Sequence, residues 1–221
     1  MSVPIFERAQ KEFYKQVAQL SNSNPEIAKL ASRINEGKLR VGAMMVEDTR
    51  IATGSKSIEF FKDDDKKTQG LRNISEAQFT KGQFFLPYAI QIQGLYSTSS
   101  LDESNVKNRT FKPLHTLGGG IGMENGDVTL RIDDSPLVKE LLLRAFDTES
   151  QTNMPKGTII IGDSEIFAEQ QKIEAKIRIP FLVPDFVALK VTLWGAGTNQ
   201  ELTRLNRLNC KHYGRAKTAH D

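Results

Sequence analysis

Few residues in this chain could do chemistry, and those that could are poorly placed for it. Its 221 residues hold three histidines (His115, His212, His220) and one cysteine, Cys210. Two of the histidines and the cysteine fall near the C-terminus, so neither a zinc set nor a Cys–His nucleophile pair can be assembled by spacing. No serine stands in a Gly-x-Ser-x-Gly setting. Gly118-Gly119-Gly120-Ile121-Gly122 is rich enough in glycine for a phosphate loop. Such a loop needs a strand before it and a helix after it, whereas this one leads through Gly126 towards a strand. It reads as a connection. Asp63-Asp64-Asp65 lacks the spaced oxygens and closing glutamate of a calcium loop and is followed by two lysines, so it reads as a solvated loop. Among 27 Asp and Glu no opposed pair stands out for glycoside hydrolysis. The expectation is a protein that is not an enzyme, with no catalytic residues, cofactor, metal or small-molecule substrate.

Charge placement says more. Lys and Arg number 30 against 27 Asp and Glu. The stretch 198–221 carries Arg204, Arg207, Lys211, Arg215 and Lys217 against Glu201 and Asp221, and without it 25 of each sign remain. A neutral body with a basic tail suits contact with phosphates, on genomic nucleic acid or a lipid surface. Leu202, Leu205 and Leu208 allow another reading, a short amphipathic helix docking on a neighbouring subunit. The N-terminus is charged where a signal peptide needs an apolar run, and no uncharged apolar window spans a membrane.

The elements that would position such groups fall into three parts: a helical arm over 1–37, a β-sandwich over 38–197 and the tail over 198–221. From Pro4, apolar residues recur every three or four positions, and Asn24-Pro25 opens a second helix that Gly37 stops. The stripe of Phe6, Phe13, Val17 and Leu20 needs an apolar partner. That partner is either the chain's own sandwich or a neighbouring subunit or membrane surface. Strands are expected at 39–46, 49–55, 58–62, 83–93, 127–132, 158–161, 172–180 and 186–194, the last ended by Gly195-Ala196-Gly197. In the fourth, Phe84, Leu86, Tyr88, Ile90 and Ile92 line one face at period two. Ser135-Pro136 is expected to open a helix through Phe146, carrying Leu137, Leu141 and Ala145. About eight strands without alternating helices make the fold class mainly β, an antiparallel sandwich of jelly-roll type with an N-terminal helical arm.

The order Phe60-Phe61, charged loop, Arg72-Asn73-Ile74, then Gly82-Gln83-Phe84 opening an alternating strand, resembles the first half of the jelly-roll capsid proteins of tailless, membrane-containing bacteriophages. The later segments 126–132, 136–143, 157–161 and 186–195 fit the second half, so the similarity of pattern covers about 140 residues. Major shell proteins of that group are often double jelly rolls, and this length leaves room for one. The resemblance therefore implies a single-jelly-roll capsid protein or a minor or vertex protein. It would assemble in the host cytoplasm into the virion, as a homo-oligomer or with other capsid proteins. A second class stays open, a carbohydrate- or receptor-binding sandwich of the spike or adhesin kind. Tyr96, Phe111 and Trp194 are the aromatics that could form its binding edge.

Overall fold

The computed structural model describes residues 4–80, 82–114, 123–147, 154–162, 164–168, 170–183 and 186–198. The chain is mainly β, with two antiparallel sheets and three α-helices among the described residues. Helices α1 (Pro4–Leu20) and α2 (Pro25–Asn35) come first, then β1 (Val41–Ile51), β2 (Ser57–Phe60) and β3 (Phe85–Tyr96). A short α3 (Glu103–Val106) and β4 (Lys112–Pro113) follow. After them come β5 (Asp127–Ile132), β6 (Ser135–Leu142), β7 (Thr158–Ile160), β8 (Ile173–Arg178) and β9 (Val187–Thr198). One sheet has the order β1-β9-β3-β4, with β7 also on β3, and the other runs β2-β8-β5-β6.

The inner faces of the sheets make one core. Ile173, Ala175 and Ile177 of β8 alternate inward while Glu174, Lys176 and Arg178 face water, the pattern of a sheet wet on one side. From β9, Val187, Leu189, Val191 and Leu193 meet them. The other face of β9 is buried as well, because the helices form a third layer over it. Ile5, Ala9, Phe13 and Val17 recur at helical spacing and are buried. Ala9, Phe13 and Val17 join Ile27 and Leu30 of α2 against Leu39, Val41, Phe84, Leu86 and Ala196. Asn24 caps α2 by accepting from the Glu26 and Ile27 amides at 2.9 and 3.3 Å, with Pro25 at the first position. Gly37, at a φ of +68°, supplies the left-handed stop.

Four expectations need correction. The strands expected at 39–46 and 49–55 are one continuous β1, because the polar pair Glu47-Asp48 makes no turn and Asp48 points into the interior. The face expected to carry Phe84 to Ile92 switches sides. A bulge between Pro87 and Ala89 adds a residue, so Phe84, Leu86 and Tyr88 pack under the helices while Ile90 and Ile92 enter the inter-sheet core. Strand β9 does not end at Gly195 but runs to Thr198. An added Cβ on Gly195 would overlap the Leu86 carbonyl oxygen, and one on Gly197 would lie 2.6 Å from that of Phe84. Both glycines therefore let β3 approach closely. Finally, 135–142 is not helical but the edge strand β6. Asp133, at a φ of +49°, turns β5 back on itself so that Ser135 pairs with Ile132, and only Leu143–Phe146 forms a turn of 3-10 helix.

Ile90 and Ile177 are fully buried from opposite sheets. Each change to alanine should cost about 2–5 kcal/mol of unfolding free energy in urea. Gly195→Ala should also lower the midpoint, because the backbone of β3 rather than a flexible side chain must yield.

Candidate functional site

The side chains singled out in the sequence do not converge. Arg204, Arg207, Lys211, Arg215 and Lys217 lie outside the described residues, as do 118–122, the three histidines and Cys210. In the arm, Phe13 and Val17 are buried against the chain's own sheet. Phe6 lies 5.4 Å from the Trp194 ring, and Leu20 stays 37% exposed. The apolar surface the stripe needs is thus supplied largely within the chain. Trp194 is covered by Phe6 and donates its indole N–H to Gln91 at 3.2 Å, and Phe111 packs on the cluster of Leu71, Val106 and Ala188. Of the three aromatics only Tyr96 is freely presented, so they form no shared binding platform.

What the fold does bring together is a buried ion cluster. Asp48 and Arg50, two apart on β1, both face inward. Asp48 is fully buried. Its Oδ2 accepts from the Phe61 amide at 2.7 Å and from Arg50 at 2.8 Å. Asp65 comes in from the loop after β2. It accepts from the Lys62 amide at 2.7 Å and pairs with Arg50. Arg72 enters between the two carboxylates, 3.4 Å from Asp48 and 3.7 Å from Asp65, and pairs outward with Glu103 at the start of α3. Asp65 is therefore no part of a solvated loop, which corrects that expectation, while Asp63 pairs at the surface with Lys172 at 2.6 Å. The trace in the sequence was slight: a carboxylate and a guanidinium two apart, on the same face of β1 as the buried Val46, with opposite charges in the next loop.

Burial pushes the Asp48 carboxyl above the ordinary aspartate range. The Phe61 amide and Arg50 offset this in part, and Asp65 adds to it. Burial pulls Arg72 down, but its hydrogen bond and charge pairing with Glu103, joined by Asp48 and Asp65, raise it overall. Two buried carboxylates, Asp48 and Asp65, thus face two guanidiniums, and Glu103, 61% exposed, pairs with Arg72 from the surface.

A second feature lies on the wet face of β2-β8-β5-β6, a groove of about 650 Å³ lined by Glu59, Lys62, Asp63, Thr129, Arg131, Glu140, Glu174, Lys176 and Arg178. Its cations and anions balance. Lys176 meets Glu59 at 3.4 Å, and Arg178 meets Asp127 at 3.0 Å and Glu140 at 2.8 Å. Arg131 and Glu174 are register partners on β5 and β8. A balanced, open groove suits polar, uncharged groups better than a polyanion or a bare cation. Among the described residues no group of three or more His, Cys, Asp and Glu is placed to hold a metal, and no helix is long and apolar enough to cross a membrane.

No protein-family model matches the chain, and no curated protein matches its sequence.

The sign of the Asp48 shift makes a prediction. A carboxyl raised in the folded state contributes stability below the ordinary aspartate value and loses it as pH rises through the raised one. Relative to Asp48→Asn, urea midpoints of the wild type should therefore fall as pH is raised from about 4, alongside the opposite contribution of Glu36, Asp102 and Glu140, whose carboxyls hydrogen bonds hold below their ordinary range. In Asp48→Asn that component of the slope should vanish. Identical slopes in the two proteins would contradict the shift.

Proposed function

We propose that this chain is a structural virion protein, a capsid subunit built on one jelly roll that self-assembles into a viral shell. The observation that carries the reading is the nesting of its strands. The first pairs with the last (β1 with β9), β2 pairs with β8, β3 with β7 and β5 with β6. These four antiparallel pairs divide between the two sheets, β1-β9-β3-β4 with β7 also on β3, and β2-β8-β5-β6, a nesting that supports the jelly-roll reading. A jelly roll is common to viral capsid and lectin domains, so this reading of the fold narrows the class without choosing the function. The resemblance in pattern to phage capsid proteins favours the shell. Its positions take structural parts here, with Phe60, Phe61 and Phe84 buried and Asn73 bonded to the β1 backbone.

In this reading the arm and tail reach neighbours, membrane or genome. With the inner stripe of α1 committed to its own sheet, the exposed residues Tyr14 and Leu20 are left for contact. The five tail cations meet phosphates, each worth about 1 kcal/mol near an anionic lipid surface.

Analytical ultracentrifugation and electron microscopy at rising protein concentration should show closed shells or rings. Leu20→Asp should keep the fold but impair assembly. Glutamine at all five tail positions should weaken retention on anionic liposomes or DNA, and added salt should mimic it. If Leu205→Asp breaks assembly while the glutamine variant binds unchanged, the tail is instead a protein-docking helix. A monomer at every concentration overturns the shell. The lectin reading has one observation of its own, the balanced groove on the second sheet. It predicts glycan binding that Arg131→Ala or Glu174→Ala abolishes.

A further inference from the structure

We infer that residues 62–76 form a clasp over the edge of β1, one that opens as a unit while the two sheets stay closed. The charge balance beneath it sets how often it opens. This goes beyond the assembly role and does not rest on it.

The ends of the segment are fixed. Phe61 and Ala77 are buried, and both sit in the left-handed region with φ of 57° and 53°. The Ala77 carbonyl accepts the Ile173 amide at 2.8 Å. Between these anchors the segment closes on itself: the Glu76 amide donates to the Asp65 carbonyl at 2.8 Å and the Lys67 amide to Ser75 Oγ at 3.0 Å. Only Asp65 and Leu71 are fully buried within it. A compact loop with few apolar contacts and strained ends has the makings of a separately opening unit.

At Asn73 the segment imitates a neighbouring strand for β1. Asn73 accepts the Glu47 amide at 2.8 Å, donates its side-chain amide to the Met45 carbonyl at 2.8 Å, and donates its backbone N–H to the Glu47 carbonyl at 3.3 Å. Opening bares those groups on an edge of the five-stranded sheet, and a bare edge is a template for strand addition.

The cluster sets the balance. Asp48 is faced by Arg50 from β1, by the Phe61 amide after β2, and by Asp65 and Arg72 from the clasp, with Glu103 of α3 beyond Arg72. Removing Arg72 leaves Asp48 and Asp65 repelling in a dry site, whereas neutralising Asp48 removes that repulsion and the desolvation cost of the most deeply buried charge, while Asp65 still pairs with Arg50 and the largely exposed Glu103 still pairs with Arg72.

Amide exchange and trypsin cleavage at the exposed Lys66 and Lys67 test this on the full chain. In Arg72→Met the amides of Asn73, Glu76 and Glu47 should exchange roughly tenfold faster or more, while those of Val191 and Leu193 keep wild-type rates. Cleavage at Lys66 and Lys67 should rise in step. Asp48→Asn should move both readouts the other way, which a merely structural ion pair would not do. Asn73→Ala leaves the buried charges alone and serves if Arg72→Met fails to fold; its cleavage should rise severalfold. Uniform acceleration of all amides, or cleavage unchanged in Asn73→Ala, overturns the clasp.

Discussion

Burying β9 on both faces obliges the chain to supply two apolar layers, and the rest of the architecture follows from how it does so. Val187, Leu189, Val191 and Leu193 need the inner face of a second sheet, and Ala188 and Ala196 need cover on the outside. The arm supplies it at the Ala196 end and α3 with its flanking loops at the Ala188 end. At about 25 cal/mol per Å² of apolar surface, neither layer is a minor contribution. Gly195 and Gly197 make the double burial possible, since β3 lies too close there for any side chain. The bulge in β3 then lets one strand serve both layers, feeding Leu86 to the helices and Ile90 to the sheets.

The ion cluster solves a different problem. Between β2 and β3 the chain must cover some two dozen residues without regular structure, at a considerable cost in ordering. Apolar anchors at Phe61, Leu71 and Phe79 hold the path only in part. Asp48, Arg50, Asp65 and Arg72 add directional bonds that specify where the loop lies. Buried ion pairs are weak sources of net stability, because desolvation offsets most of the attraction. Burial, with the Asp65 charge adding to it, raises the Asp48 carboxyl, so the cluster is not optimised for stability. Its evident contribution is registry of the loop on β1.

What could be read from the residues beforehand follows the reach of each interaction. The Asn24–Pro25 start, the Gly37 stop and the alternation of β8 are local, and all three hold. The buried faces of β8 and β9 were legible because their apolar periodicity is uninterrupted. The bulge in β3 was not, since the residue it inserts leaves the apolar alternation apparently intact. The hairpin at Asp133 was hidden by Leu137, Leu141 and Ala145, whose spacing also satisfies a helix, and the outcome depends on pairing with β5. The ion cluster draws on positions 48, 50, 65, 72 and 103, which no local pattern connects. The arm's inner stripe was legible as apolar, but its partner was not, because an amphipathic helix does not encode which surface it covers.

The same division bears on function. Catalysis leaves clusters of titratable groups around an enclosed pocket. Here the buried titratable groups are paired with one another, and the concave surface is open, exposed and charge-balanced. Two sheet edges are visibly managed: Asn73 occupies the middle of β1, and β6 carries Pro136, two register shifts and Glu140 at a φ of +49°. Edge protection of this kind prevents indiscriminate sheet addition. A subunit that must meet copies of itself at high concentration needs that protection more than a dilute binding module does, because the frequency of wrong encounters rises with concentration. The guarded edges therefore count in favour of the proposed self-assembly.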